Sequence, residues 1–330
     1  MPRTRADAPK AFKSTLPCDI YEEDGGPCVA AHSTVRLLRA AYSGPLYQVR
    51  AADGTTKDVG VDRTTGLANA ADQDGLCADQ ACTISIIYDQ STQGNHLTKR
   101  PVGGNNRKEG KEANAKALPL SINGHTVYGE KNPSGVGYRN NAAKGTAEAD
   151  SPETIYMVVQ GDYFNGGCCF DYGNAERNSN DNGEGAAEAV YFGSCTIWGK
   201  GGGSGPWVMG DLENGLWAGD SSPYDKNASV NAWKFVTAMV KGDGFCTNHW
   251  AIKNANAQSG DLQVVFDGSR PNDRYNPMRK EGAIVLGIAG DASNGGQGSF
   301  FEGVMTAHFS SDAADRAVQA NIVSVYRNSL

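Results

Sequence analysis

Between residues 46 and 288 the chain is a succession of short apolar runs, rich in β-branched residues, each closed by Gly, Asn, Asp or Pro. Residues 46–49 alternate in polarity, and the runs 83–89, 154–160, 189–192, 234–240, 262–266 and 283–288 read as strands. Two stretches carry helical spacing. In residues 30–42, Val35, Leu38 and Tyr42 fall on one stripe, and Ser33 or Thr34 would cap it. In residues 311–327, Ala314, Ala317, Ile322 and Val325 are among the apolar positions of a closing amphipathic helix. Strands outnumber helices and do not alternate with them, which excludes a doubly wound α/β fold. The pattern predicts an all-β chain of two packed antiparallel sheets, a β-sandwich or jelly roll with a few short helices. The 42 glycines follow no G-X-Y period, so they mark turns. No repeat or Pro/Ser linker divides the chain. A polar N-terminal extension over residues 1–17 and a single domain over 18–330 are therefore expected.

The net charge of −7 argues against nucleic acid, which is held by Lys and Arg neutralising phosphates. The longest basic cluster, Lys108 to Lys116, is interrupted by Glu109 and Glu112. No apolar stretch approaches the ~18 residues that span a bilayer. Eight cysteines are present. Cys18 and Cys28 bracket one short loop and Cys77 and Cys82 another, the pattern of local disulfide staples contributing about 2–3 kcal/mol each. The spacings do not suit zinc, and the histidines at 32, 96, 125, 249 and 308 are scattered, so neither a metal nor a cofactor is expected. Cys195 and Cys246 either pair with each other or stay free. Disulfides place the chain in an oxidising, extracellular compartment, although residues 1–9 lack the apolar core of a secretion signal. One glycosylation sequon, Asn227-Ala-Ser229, occurs. The adjacent Cys168 and Cys169 lie in a glycine-rich loop and, on local grounds, read as reduced or separately bonded. Closed on each other, their sulfurs would form a hard, polarizable surface suited to the apolar face of a sugar.

The chemistry concentrates on carboxylates. If residues 205–216 form one strand, Trp207, Asp211 and Glu213 share a face, with Val208, Leu212 and Leu216 on the other. An indole beside two carboxylates is an ordinary solvated edge in many proteins, but it also supplies what a sugar site needs. Asp291 follows an apolar strand that ends at Gly290; aspartate is common in such turns. Glu302 reads as a supporting or structural acid. Ser33 beside His32 is proximity in sequence only, and no G-x-S-x-G occurs. A carboxylate pair is the remaining acid–base device.

Eight segments together resemble glycoside hydrolase family 54, the fungal-type α-L-arabinofuranosidases of the B class. They are Cys18-Asp-Ile-Tyr21 with Pro27-Cys-Val-Ala-Ala-His-Ser-Thr34, Ile87-Tyr-Asp-Gln-Ser91 with Gly94-Asn-His-Leu97, Cys168-Cys-Phe-Asp-Tyr-Gly-Asn174, Asp211-Leu-Glu-Asn214, Tyr275-Asn-Pro-Met278 and Lys280-Glu-Gly-Ala-Ile284. The resemblance runs in order over residues 17–327. It implies a concanavalin-like β-sandwich and a retaining mechanism, with Glu213 as nucleophile and Asp291 as general acid/base. It implies arabinose contacts at Trp207, Asp211, Asn214, the Cys168–Cys169 disulfide and the backbone near Gly290, and pairings Cys18–Cys28 and Cys77–Cys82. The expected activity is exo-cleavage of terminal arabinofuranose from arabinose-containing plant cell-wall polysaccharides or oligosaccharides by a secreted monomer. Partial burial and the charge of Glu213 are expected to raise the pKa of Asp291. The C-terminal arabinose-binding module usual in the family is expected to be absent, and Cys195 and Cys246 match no family pair. The rival readings are a non-catalytic arabinose lectin on the same sandwich and a glycosidase of shifted sugar specificity.

Overall fold

The computed structural model describes residue 13 and residues 15–330. The extension expected over residues 1–17 lies almost wholly outside the described residues. Two antiparallel sheets dominate. The six-stranded sheet runs, edge to edge, Cys28–Ser33, Glu302–Thr306, Glu153–Gln160, Phe235–Gly242, His249–Asn256 and Gln263–Ser269. The ten-stranded sheet runs Leu216–Trp217, Trp207–Asp211, Glu188–Gly193, Asp171–Ala175, Ala283–Leu286, Tyr138–Asn140, Leu97–Lys99, Cys82–Ile87, Tyr47–Ala51 and Thr56–Val59. The sheets pack face to face as a β-sandwich. Trp250 of the smaller sheet lies against Gly210 of the larger, where any side chain would collide with the indole. Val190, Phe192, Val208, Met239, Trp250 and Ile252 belong to the same buried core.

Strand Glu153–Gln160 is buried on both faces, because the six-stranded sheet is covered outside by helices. The helix Asp312–Tyr326 buries Ala314, Val318, Ile322 and Tyr326, spaced one turn apart. Ser311 caps it, its hydroxyl accepting from the Ala314 N–H at 3.2 Å. Lys241 and Lys253 rise from the sheet to meet Asp315 at 2.8 and 2.7 Å.

The helix expected over residues 30–42 does not form. The run begins as the edge strand Cys28–Ser33, paired with Glu302–Thr306. That ladder satisfies the backbone, and the Cys18–Cys28 disulfide ties its start to a helix at Pro17–Glu23 instead. The Ser33 hydroxyl does accept from the Val35 and Arg36 N–H groups, as a cap would, but a turn follows rather than a helix. Cys77–Cys82 also closes, after a short helix at Ala70–Leu76. Cys195 and Cys246 do not bond; the first is buried and the second exposed. Glu302 is structural, chelated by Arg36 and accepting from Tyr326 at 2.9 Å. Asn227 of the sequon is fully buried, its amide donating to the Val208 and Ala218 carbonyls, so the folded chain offers no acceptor there.

Candidate active site

The site lies on the outer face of the ten-stranded sheet, opposite the inter-sheet core. Strand alternation turns Val208 inward and Trp207, Met209 and Asp211 outward, where Trp207 and Met209 join Tyr191, Cys195, Leu216 and Ala289 in a second buried cluster. Above this cluster opens a cavity of about 220 Å³. Its wall includes Cys168, Asp211, Glu213, Asn214 and Asp291 of the expected residues.

Glu213 does not reach the cavity by strand alternation. The strand ends at Asp211, and a hairpin turn returns the chain to Leu216–Trp217. Leu212 N–H donates to Gly215 O at 3.2 Å, leaving Glu213 and Asn214 as a two-residue loop. Both have positive φ, 67° and 55°, as a two-residue hairpin of the type I′ class requires. The turn is held from below. The Glu213 N–H donates to Asp211 Oδ1 at 3.0 Å, and the Tyr275 hydroxyl to Glu213 O at 3.0 Å. Asn214 Nδ2 donates to Asp181 Oδ1 at 3.3 Å.

Asp291 sits in a tight turn after strand Ala283–Leu286. Its carboxylate accepts from the Ser293 N–H at 2.8 Å and the Ser293 hydroxyl at 3.1 Å. Ala289 N–H donates to Ser293 O at 3.0 Å, closing the loop. Arg139, buried beneath, donates to Gly290 O at 2.5 Å and to Glu176 O. Gly290 itself stays off the cavity wall; a side chain there would collide with the Glu176 carboxylate.

Cys168 and Cys169 are bonded to each other across a cis peptide. Cys168 lines the cavity, whereas Cys169 is buried in the cluster below. Gly295 N–H donates to Cys168 O at 2.9 Å, and Gly296 approaches the Cys169 backbone too closely for any side chain.

Trp207 requires correction. It is 0% exposed, its indole N–H donates to Gly202 O at 2.7 Å, and it supports the floor without touching the cavity. The indole on the cavity wall belongs to Trp198, which is 51% exposed and went unread in the sequence. Asn105, Asp181 and Ser293 are further wall residues that the sequence did not single out. Beneath the wall lies the buried Asp171.

Glu213 and Asp211 are unusually protonatable. Burial, and then the charge of Asp291, hold Glu213 up at about 8, against a hydrogen bond from the Asn182 backbone and the charge of Arg139. Burial raises Asp211 to about 6. Glu213 is the more deeply enclosed of the two facing acids, Glu213 and Asp291.

A fold of this kind hosts many activities, so likeness to known proteins adds separate information. The family described as alpha-L-arabinofuranosidase B, catalytic, matches residues 17–327. The chain belongs to this family. A relative from Aspergillus terreus, named "Probable alpha-L-arabinofuranosidase B", is 54% identical over 317 residues, covering 93% of this chain and 62% of its own length. The chain thus spans about three fifths of that relative. Among solved structures, an arabinofuranosidase complexed with arabinofuranosyl-α-1,2-xylobiose is 48% identical with a TM-score of 0.90, covering 94% of this chain and 65% of its own. A glutamate-to-glutamine mutant of a GH54 α-L-arabinofuranosidase, soaked with 4-nitrophenyl α-L-arabinofuranoside, is 47% identical with a TM-score of 0.91, covering 96% and 66%.

Proposed function

We propose that this chain is a retaining, exo-acting α-L-arabinofuranosidase that removes terminal arabinofuranose from arabinoxylan, arabinan or their oligosaccharides. The observation that carries the reading is that Glu213 and Asp291, far apart in sequence, line one cavity with Cys168 and Asp211. The cavity of about 220 Å³ is smaller than the roughly 300 Å³ at which drug-sized pockets begin. It has room for one pentose and not for a polysaccharide chain, which favours cleavage of chain ends and side groups. The arabinofuranosidase relatives support the sugar class, and the disulfides suit an extracellular setting.

Glu213 attacks the anomeric carbon and forms a glycosyl ester while Asp291 gives its proton to the leaving oxygen. Asp291 then takes a proton from water, which attacks the same carbon, frees arabinose with its configuration kept and restores the Glu213 carboxylate. Asp211 accepts from a sugar hydroxyl, Asn214 offers a further polar contact, and the Cys168 sulfur and Trp198 flank apolar C–H surfaces. Burial and the charge of Asp291 favour the protonated form of Glu213 before substrate binds. Positive charge developing on the furanose in the transition state favours the ionised, nucleophilic form of Glu213.

The raised Glu213 carboxyl also favours a second assignment, with Glu213 as acid and Asp291 as nucleophile. A mechanism-based arabinofuranosyl probe followed by peptide mass mapping separates the two: the covalent label falls on Glu213 in the first and on Asp291 in the second. In the first, Asp291→Asn loses about 10²–10⁴-fold on natural linkages and much less on aryl arabinofuranosides. If neither acid is labelled and 4-nitrophenol is not released from the aryl arabinofuranoside, the glycosidase reading fails and a lectin remains.

A further inference from the structure

Asp171 lies under the pocket and has no part in the chemistry above. It opens strand Asp171–Ala175, opposite Tyr191 of the neighbouring strand, and is 1% exposed. Neither of its carboxylate oxygens receives a hydrogen bond from an N–H or O–H group among the described residues. One of its oxygens, an oxygen of Asp211 and the Cys169 sulfur lie within 4.8 Å of one another. The titratable groups that face it are Asp211, Asp291, Cys195 and Tyr191, with no cation among them. A buried carboxylate with no donor and acidic neighbours is strongly disfavoured, whereas a carboxylic acid brings its own donor.

We infer that Asp171 is a positioning residue held protonated, its O–H donating to Asp211 and thereby fixing the carboxylate that carries the Glu213 turn. The inference rests on the arabinofuranosidase reading for its effect on turnover, but not for the hydrogen bond itself. A relay results: Asp171 donates to Asp211, Asp211 accepts from the Glu213 N–H at 3.0 Å, and the remaining lone pairs of Asp211 face the cavity. Burial, then the charge of Asp211, push the Asp171 carboxyl well above the usual carboxylate range, in keeping with its keeping the proton. Asparagine could replace the donor, but its second N–H would lack an acceptor. Leucine would leave Asp211 with one support fewer.

The test uses the full chain and the variants Asp171→Asn and Asp171→Leu, each checked for a cooperative melt. In the wild-type-minus-Asp171→Asn infrared difference spectrum at neutral pH, a protonated carboxylic acid band remains, over and above the absorption that Glu153 and Glu213 give in both proteins. On the aryl arabinofuranoside, Asp171→Leu raises KM about 10–100-fold, as loss of one hydrogen bond to a charged group does, while Asp171→Asn stays within about fivefold. The inference is overturned if the two spectra are identical, if Asn impairs KM as much as Leu, or if Leu lowers the melting temperature with KM unchanged. A wild type that shows the band but hydrolyses no arabinofuranoside would sink the glycosidase reading and uphold the hydrogen bond. An active wild type without the band would sink the hydrogen bond alone.

Discussion

At the scale of single residues, the position of Glu213 is costly. A non-glycine residue in the left-handed region gives up roughly 1–2 kcal/mol, and here the side chain is also a buried acid. Asn214 tolerates the same conformation better because its short amide bonds locally. Glu213→Gly is therefore expected to remove the turnover and yet stabilise the fold by about 1 kcal/mol, since glycine enters positive φ freely. Thermal melts of the variant against the wild type check this; a lower melting temperature would show that the Glu213 side chain supports the turn rather than straining it. Residue identity was the legible part of this site. The carboxylates and the paired cysteines stand in the sequence, whereas the turn at Glu213 and Asn214 interrupts what reads there as one strand over 205–216. What does not stand there is exposure. Trp198 and Trp207 are both indoles amid glycines, and only the fold decides that one lines the cavity and the other props its floor.

At the scale of elements, legibility followed length. The helix Asp312–Tyr326 spans 15 residues, enough to display both its cap and its stripe. The helices at Pro17–Glu23 and Ala70–Leu76 have 7 residues each, too few for a period to show. Residues 30–42 have a convincing stripe, but tertiary pairing overrode it. The strands were visible as β-branched runs, but their order was not. Strand Ala283–Leu286 lies between Asp171–Ala175 and Tyr138–Asn140, a long-range choice made by core packing. The long helix is fastened to its sheet by charge as well as by apolar contact. Lys241 and Lys253 converge on the buried Asp315. Asp315→Leu removes the buried partner that both ammonium groups share, leaving Lys253 on Asp312 at 2.6 Å and Lys241 on the Ser310 carbonyl at 2.7 Å, and is expected to cost up to about 3 kcal/mol in denaturant unfolding. Adding Lys241→Met and Lys253→Met should restore most of that loss; a single variant as stable as the wild type would mean that the helix docks by its apolar face alone.

For the molecule as a whole, buried acids set the pH at which it is most stable. Burial disfavours ionisation of Glu188, but Arg270 and Lys280 outweigh it and hold the group at about 2. Its contribution is present above the ordinary glutamate range and is lost as pH falls toward that value. Glu153 goes the other way. Burial first, and Glu188 in addition, push it up to about 8 against Lys280. Its contribution is complete below the ordinary range and is lost as pH rises toward 8, and Glu213 acts in the same direction. Stability should therefore peak at mildly acidic pH and decline toward 8. Melting temperatures across that range test this, and Glu153→Gln should flatten the alkaline decline; an unchanged slope would remove Glu153 as its source. The strand Trp207–Asp211 joins this scaffold to the pocket, with Val208 packed in the inter-sheet core and Asp211 on the cavity wall. Inserting or deleting a single residue within it would exchange the two sets, driving carboxylate into the sandwich and valine out of it. Its length is thus far less free to change than its composition, and any re-lining of the pocket has to proceed by substitution.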